Sequence, residues 1–131
     1  MERMTAVVVV THGNAGADMI HAAQSFLCKS IPQLAAVGID PEDDRDAMGA
    51  KIDRAVAALG VSDNDDILFL VDLVGSTPAR LCCMRFGTSG HVVTGVNMPM
   101  LLKLATADRT RGAVALGDEL VATGTKSIHH E

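Results

Sequence analysis

Four consecutive valines, Val7 to Val10, run into Thr11 and His12 and stop at the turn-forming Gly13-Asn14-Ala15-Gly16. Each valine is branched at Cβ, which favours extended backbone over helix. The run lacks the alternation of a strand with one wet face, so it reads as a strand covered on both faces, as in a parallel sheet. Parallel strands need crossover connections, which leaves the rest of the chain to alternate helices with strands. A titratable side chain at the carboxyl end of such a strand lies where open α/β sheets bind ligands.

That alternation is present. Ile20, Ala23, Leu27 and Ile31 recur at helical spacing ahead of Pro32, predicting a helix over 17–30. Residues 34–39 read as a second strand. Asp40 is expected to cap the next helix, with Pro41 at its first position and the acids up to Asp46 as a solvated helix start. Met48, Ile52, Val56 and Leu59 give that helix an apolar stripe, and Gly60 ends it. Ile67 to Val71 is a second unbroken apolar run, closed by Asp72. Pro78 suits the opening of a helix over 78–85, residues 91–96 read as a fourth strand, and helices follow over 97–107 and 110–122. Residues 126–130 read as an edge strand or a frayed tail.

With 131 residues, no linker and no internal repeat, the chain is expected to form one domain, 1–131. The expected fold is α/β: an open, doubly wound sheet of four parallel strands in order 2-1-3-4, with helices on both faces. The order reverses between strands 1 and 3, the two that end in His12 and Asp72.

The formal charge is -5 with no Lys/Arg-rich tract, and Trp and Tyr are absent, so neither phosphate-backbone binding nor base stacking is favoured. No nucleic-acid partner is expected. The opening apolar run is too short to span a bilayer and no cleavage pattern follows it, giving the expectation of a cytoplasmic protein without membrane insertion. Cys28, Cys82 and Cys83 are odd in number and two are adjacent, which suggests buried or partly buried free thiols.

Asp72 closes five apolar residues, so its charge needs a donor or a cation nearby. His12 is the candidate. A carboxylate accepting from Nδ1-H would fix the tautomer, leave Nε2 as a nucleophile and stabilise the cationic ring formed when Nε2 takes up an electrophile. Gly13-Asn14 and Gly75-Ser76-Thr77 are turns leading into helices, where backbone N-H groups, helix dipoles and the Ser76 and Thr77 hydroxyls suit an oxyanion. The group that fits is phosphoryl. The chain has no GxxxxGK[ST] loop for a nucleotide and no evident acidic cluster for Mg²⁺. No cofactor or metal is therefore expected, and the donor is expected to be another phosphoprotein. The plainer alternatives are a hydrogen-bonded structural His12 and an Asp72 that caps a turn. His21 reads as a solvated surface residue and His91 as structural.

Three separated segments resemble the EIIA component of the mannose/fructose class of the sugar phosphotransferase system (PTS). Val10-Thr11-His12-Gly13-Asn14 is similar to the family's phosphorylation segment, Val71-Asp72-Leu73-Val74-Gly75-Ser76-Thr77-Pro78 to its D-L-x-G-G-[ST]-P turn, and Gly95-Val96-Asn97-Met98-Pro99-Met100-Leu101-Leu102 to its G-V-N-x-P-M-L segment. The resemblance implies that His12 accepts phosphoryl from phospho-HPr at Nε2, that Asp72 orients the ring and that Thr77 helps hold the phosphoryl group. It also implies a homodimer in which an antiparallel C-terminal strand, residues 126–130, pairs with the partner's sheet.

Two departures from the family pattern matter. Ser76 stands where a second glycine is usual, so a Cβ there is expected to restrict the approach of phosphate. Ala79-Arg80 replaces a common Phe-Asn, making Arg80 a candidate auxiliary cation. No EIIB domain follows, so a separate EIIB protein is the expected acceptor. A regulatory phosphoprotein read by a binding partner is the alternative. A dihydroxyacetone-kinase subunit and a small metal chelatase with a strand ending in His-Gly are further rivals.

Overall fold

In the computed structural model, which describes residues 3–61, 65–87 and 90–131, the valine run lies within β1, Ala6–His12. Every β1 residue up to Thr11 is buried, and His12 emerges at its end. The other parallel strands are β2, Leu34–Ile39, β3, Ile67–Val71, and β4, Gly90–Thr94, in the order β2-β1-β3-β4. The expected α/β sheet and strand order are therefore the observed ones.

Between and after the strands come α1, Ala15–Leu27, α2, Arg45–Ala58, α3, Thr77–Phe86, α4, Met98–Leu104, and α5, Ala113–Lys126. The valines divide by parity between the two faces. Val7 and Val9 join Leu68, Leu70, Val93, Leu101 and Leu116 beneath α1, α4 and α5. Val8 and Val10 join Ile39, Phe69, Val71, Ile52 and Leu81 beneath α2 and α3. Each such side chain, when fully buried, contributes about 1.5–3 kcal/mol. Both sheet faces are covered, so all four valines count.

Several boundaries differ from expectation for identifiable reasons. Helix α2 opens at Arg45, because Asp44 rather than Asp40 is the cap: its carboxylate accepts from Ala47 N-H at 2.8 Å. Asp40 and Asp43 instead form a turn closed by Lys51, whose ammonium donates to Asp40 at 3.1 Å, to Asp43 at 2.5 Å and to the Gly38 carbonyl at 3.1 Å. The hydrogen bond from Lys51, followed by the Asp40 N-H, holds the Asp43 carboxyl below the usual carboxylate range. Helix α5 begins at Ala113, whose N-H donates to Asp66 at 3.1 Å, and continues through Lys126, a cation suited to its negative end. Residues 128–131 form no strand within the chain, so any strand there requires a second chain as its partner. Only Cys82 is a buried thiol, pushed up to about 12 by burial and then by Cys83; Cys28 and Cys83 are exposed. Among the described residues, no helix is long and apolar enough to cross a membrane.

At the amino ends of β1 and β2, Arg109 is buried and reaches across the sheet entrance. Its guanidinium donates to the carbonyls of Pro32, Thr5 (2.7 Å) and Gln33 (2.8 Å), while Thr5 N-H returns a bond to the Arg109 carbonyl at 2.7 Å. Burial lowers its pKa to about 10, which leaves it cationic at neutral pH. Replacing Arg109 with Met would remove the donor to the Thr5 carbonyl in a buried bond and to the Pro32 carbonyl in a partly buried one, at about 1–3 kcal/mol for each group left buried and unpaired, whereas the Gln33 carbonyl keeps its bond from Val7 N-H at 3.0 Å. Urea denaturation should therefore show Arg109→Met destabilised by about 2–4 kcal/mol; a change within about 0.5 kcal/mol would contradict the clamp.

Candidate functional site

The sheet order brings the carboxyl ends of β1 and β3 together at the position where the strand order reverses. Val10 pairs with Val71, and the next turn of backbone is tied by a bond from Asp72 N-H to the Val10 carbonyl at 3.3 Å. His12 and Asp72 meet across that junction. One carboxylate oxygen of Asp72, Oδ2, lies 3.0 Å from His12 Nδ1 and 3.0 Å from the His12 backbone nitrogen. The other, Oδ1, accepts from Leu73 N-H at 2.9 Å.

Burial acts to raise the Asp72 pKa, but the bonds from the His12 backbone, the His12 ring and Leu73 N-H outweigh it and hold the carboxyl below its ordinary value. The group is thus an acceptor near neutral pH, and its partner Nδ1 must carry the proton. Nε2 is left with its lone pair. The ring is half exposed, whereas the Asp72 side chain is three-quarters covered, so the imidazole is the more accessible member of the pair.

Gly13 follows His12 with φ +60°, a left-handed conformation that glycine adopts without a Cβ penalty. Its N-H donates to the Ile39 carbonyl at 2.8 Å. Asn14 is the exposed cap residue of α1, but its side chain makes no capping bond. Instead the buried Thr11 hydroxyl accepts from Gly16 N-H at 2.8 Å and faces the Gly13 carbonyl at 3.5 Å.

Across the junction, Gly75 has φ +72° and Ser76 caps α3, its Oγ accepting from Ala79 N-H at 3.4 Å. Ser76 has φ -71° and ψ 160°, extended backbone open to any residue, so the missing second glycine distorts nothing locally. Its hydroxyl proton can still be donated outward. Thr77 is exposed as the first residue of α3, and Arg80 is exposed one turn later.

His21 is exposed on α1, while His91 on β4 is partly buried, with its ring close to Gly117 of α5. Neither belongs to the His12 cluster. Among the described residues, no group of three or more His, Cys, Asp and Glu is placed to hold a metal ion, so the chelatase reading has no ligand set there.

Thr11 and Gly38 are the residues that inspection of the sequence passed over as site-builders. A signal existed for Gly38: a glycine inside an apolar strand marks a close backbone approach. No equivalent signal marked Thr11, since a β-branched residue in a strand is ordinary.

Residues 6–121 match the family described as PTS system fructose IIA component. The chain is similar in fold to the mannose/sorbose specific IIA subunit of the phosphotransferase system from Enterococcus faecalis, with 24% identity and a TM-score of 0.84 over 98% of this chain and 96% of that one. It is similar also to the PTS IIA protein associated with the fucose utilization operon from Streptococcus pneumoniae, with 23% identity and a TM-score of 0.79 over 99% and 96% of the two chains. A sigma-54 interaction domain protein from Enterococcus faecalis shares the fold at 18% identity and a TM-score of 0.74 over 96% and 94%. No curated protein sequence matches the chain.

The lowered Asp72 pKa has a signed consequence for stability. A depressed carboxylate stabilises the fold above its unfolded value, about 3.9, and that contribution is lost as pH falls through the lower folded value. The stability gap between wild type and Asp72→Asn should thus be present near pH ~6 and shrink toward pH ~2, remaining below about 1 kcal/mol because the pair is partly solvated. Urea midpoints across that range test this, and a gap independent of pH would exclude the carboxylate as its source.

Proposed function

The chain belongs to the PTS fructose IIA component family of the mannose/fructose class, and from that premise we propose that it is a histidine phosphocarrier acting through His12. The observation that carries this reading is the double engagement of Asp72 Oδ2 by the His12 backbone and ring. A carboxylate on Nδ1 orients Nε2 outward and compensates the positive charge that the ring gains when Nε2 bonds to phosphorus.

In the proposed step, the bond between phosphorus and its donor atom on phospho-HPr breaks as the His12 Nε2-P bond forms, and the electron pair returns to the donor. Nδ1 keeps its proton throughout. Asn14, Gly75, Ser76 and Thr77 supply the surrounding N-H and hydroxyl donors for the phosphoryl oxygens, Gly13, whose own N-H is taken by the Ile39 carbonyl, shapes the turn beside them, and Arg80 adds a cation on the rim. The reverse geometry then hands the group to a separate EIIB protein.

Two further observations favour a protein donor. His12 lies on an open face, half exposed, while clefts of about 770 and 340 Å³ among the described residues have other linings, one at the amino ends of the strands and one between β2 and α2. Leu73 and Val74, directly after Asp72, are 58% and 83% exposed, apolar surface that a docking protein would cover. The homodimer is part of the same proposal; of the expected strand 126–130, Lys126 lies in α5 and Ser127 caps it, so residues 128–130 are the ones left to add an antiparallel strand to the partner's sheet.

A regulatory reading shares this chemistry. The fold's occurrence in the Enterococcus faecalis sigma-54 interaction domain protein gives it a footing. Pull-downs with both phosphorylation states separate the two: efficient transfer to EIIB supports transport, whereas a phosphorylation-sensitive partner other than EIIB supports signalling.

With phosphoenolpyruvate, Enzyme I and HPr, intact mass should show one added phosphoryl group on wild type and none on His12→Ala. Asp72→Asn should be labelled about a hundredfold more slowly, the scale expected for losing one preorganised electrostatic partner. An unlabelled wild type, or an equally labelled His12→Ala, would sink the proposal. Deleting residues 126–131 should shift the protein from dimer to monomer in light scattering; a deletion that stays dimeric would remove the exchanged strand from it.

A further inference from the structure

The turn that carries His12 lies against β2, bonded to Ile39 and seated over Gly38. Gly38 is paired with Thr11 in the β1-β2 register. Its backbone is not in the left-handed region, so no conformational demand calls for glycine there. The demand is spatial. A Cβ at residue 38 would stand 2.6 Å from the Gly13 carbonyl oxygen, 3.3 Å from its carbon and 3.4 Å from Asn14 Oδ1. Carbon and oxygen do not pack at 2.6 Å, so either the turn or the edge strand would have to move by several tenths of an ångström.

The same turn is held from two other directions. Beneath it, the Thr11 hydroxyl joins the Gly13 carbonyl to Gly16 N-H at the start of α1. Beside it, Gly13 N-H bonds to the Ile39 carbonyl, and the Gly38 carbonyl is itself fixed by Lys51 of α2. Asp72 sets the orientation of the His12 ring, but the ring starts from the backbone at residues 12–13, which these contacts place.

We propose that Gly38, with Thr11, is a positioning element for His12: the bare Cα at 38 lets the turn sit down on β2, and the Thr11 hydroxyl locks it there. Neither residue touches the reacting atoms; both act by keeping Nδ1 within reach of Asp72 and Nε2 on the line of attack. This rests on the phosphocarrier reading for its consequence, although the geometry it describes exists without phosphate. A misplacement of about 1 Å in a group-transfer site can cost about a hundredfold, so a shift of several tenths of an ångström is expected to slow transfer by about tenfold.

The test uses Gly38→Ala and the pair Thr11→Val and Thr11→Ser, each in the full chain. Nitrogen NMR of the unphosphorylated protein reads whether the neutral His12 ring is held in the Nδ1-H form, and rapid-quench kinetics with phospho-HPr read kcat and KM. The expected result for Gly38→Ala is a mixture of His12 tautomers and a kcat lowered about tenfold or more with KM nearly unchanged. Thr11→Val should behave alike, and Thr11→Ser, which keeps the hydroxyl, should restore both readings. If Gly38→Ala does not fold, the Thr11 pair decides.

A folded Gly38→Ala or Thr11→Val with wild-type tautomer and wild-type kcat would overturn the proposal, as would failure of Thr11→Ser to rescue. A wild type that takes no phosphoryl, combined with a disturbed tautomer in Gly38→Ala, would keep the positioning role and remove the phosphocarrier reading.

Discussion

One carboxylate oxygen, Asp72 Oδ2, receives both the backbone N-H and the ring nitrogen of His12, and the geometry of the site depends on that double contact. A bond to the ring alone would leave the imidazole free to swing with its backbone. A bond to the backbone alone would leave the tautomer unset. Together they fix the ring at its root and at Nδ1, so that Nε2 is the freely available nitrogen. The arrangement is possible because β1 and β3 are neighbours and parallel, so both strands end at the same end of the sheet.

The sheet divides its work between its two ends. At the amino ends, Arg109 gathers the carbonyls of Thr5, Pro32 and Gln33 with its terminal nitrogens, and its charge faces those dipoles without a carboxylate contact among the described ion pairs. At the carboxyl ends, the polar groups are arranged around an open histidine. Between them lie β1 and β3, apolar on both faces. Such strands are weakly constrained in register by hydrophobicity alone, since a slip of one residue exchanges one apolar face for another. The polar residues at the strand ends supply the missing specification: His12 on β1 and Asp72 after β3 meet in the observed register.

Much of this was legible in the residues. Unbroken β-branched and apolar runs identified buried parallel strands, and Asp72 at the end of one of them required a partner. Misplaced boundaries came from competition between equally suitable caps: Asp40-Pro41 has the chemistry of a helix start, but Asp44 captured Ala47 N-H, while Lys51 drew Asp40 and Asp43 into a turn. Lys51 is eleven residues beyond Asp40, and no local pattern announces that contact.

By itself the sequence determined the strands, their burial on both faces and the two polar residues at which the central runs end, because these follow from side-chain branching, hydropathy and the cost of an unpaired charge. Tertiary structure decided how the His12 turn is seated. The seating of the Gly13 carbonyl over residue 38 and the meeting of the His12 backbone nitrogen and Nδ1 on one oxygen depend on strands packed side by side. Chain order does not encode such separations locally; they arise when parallel strands distant in sequence settle into one register.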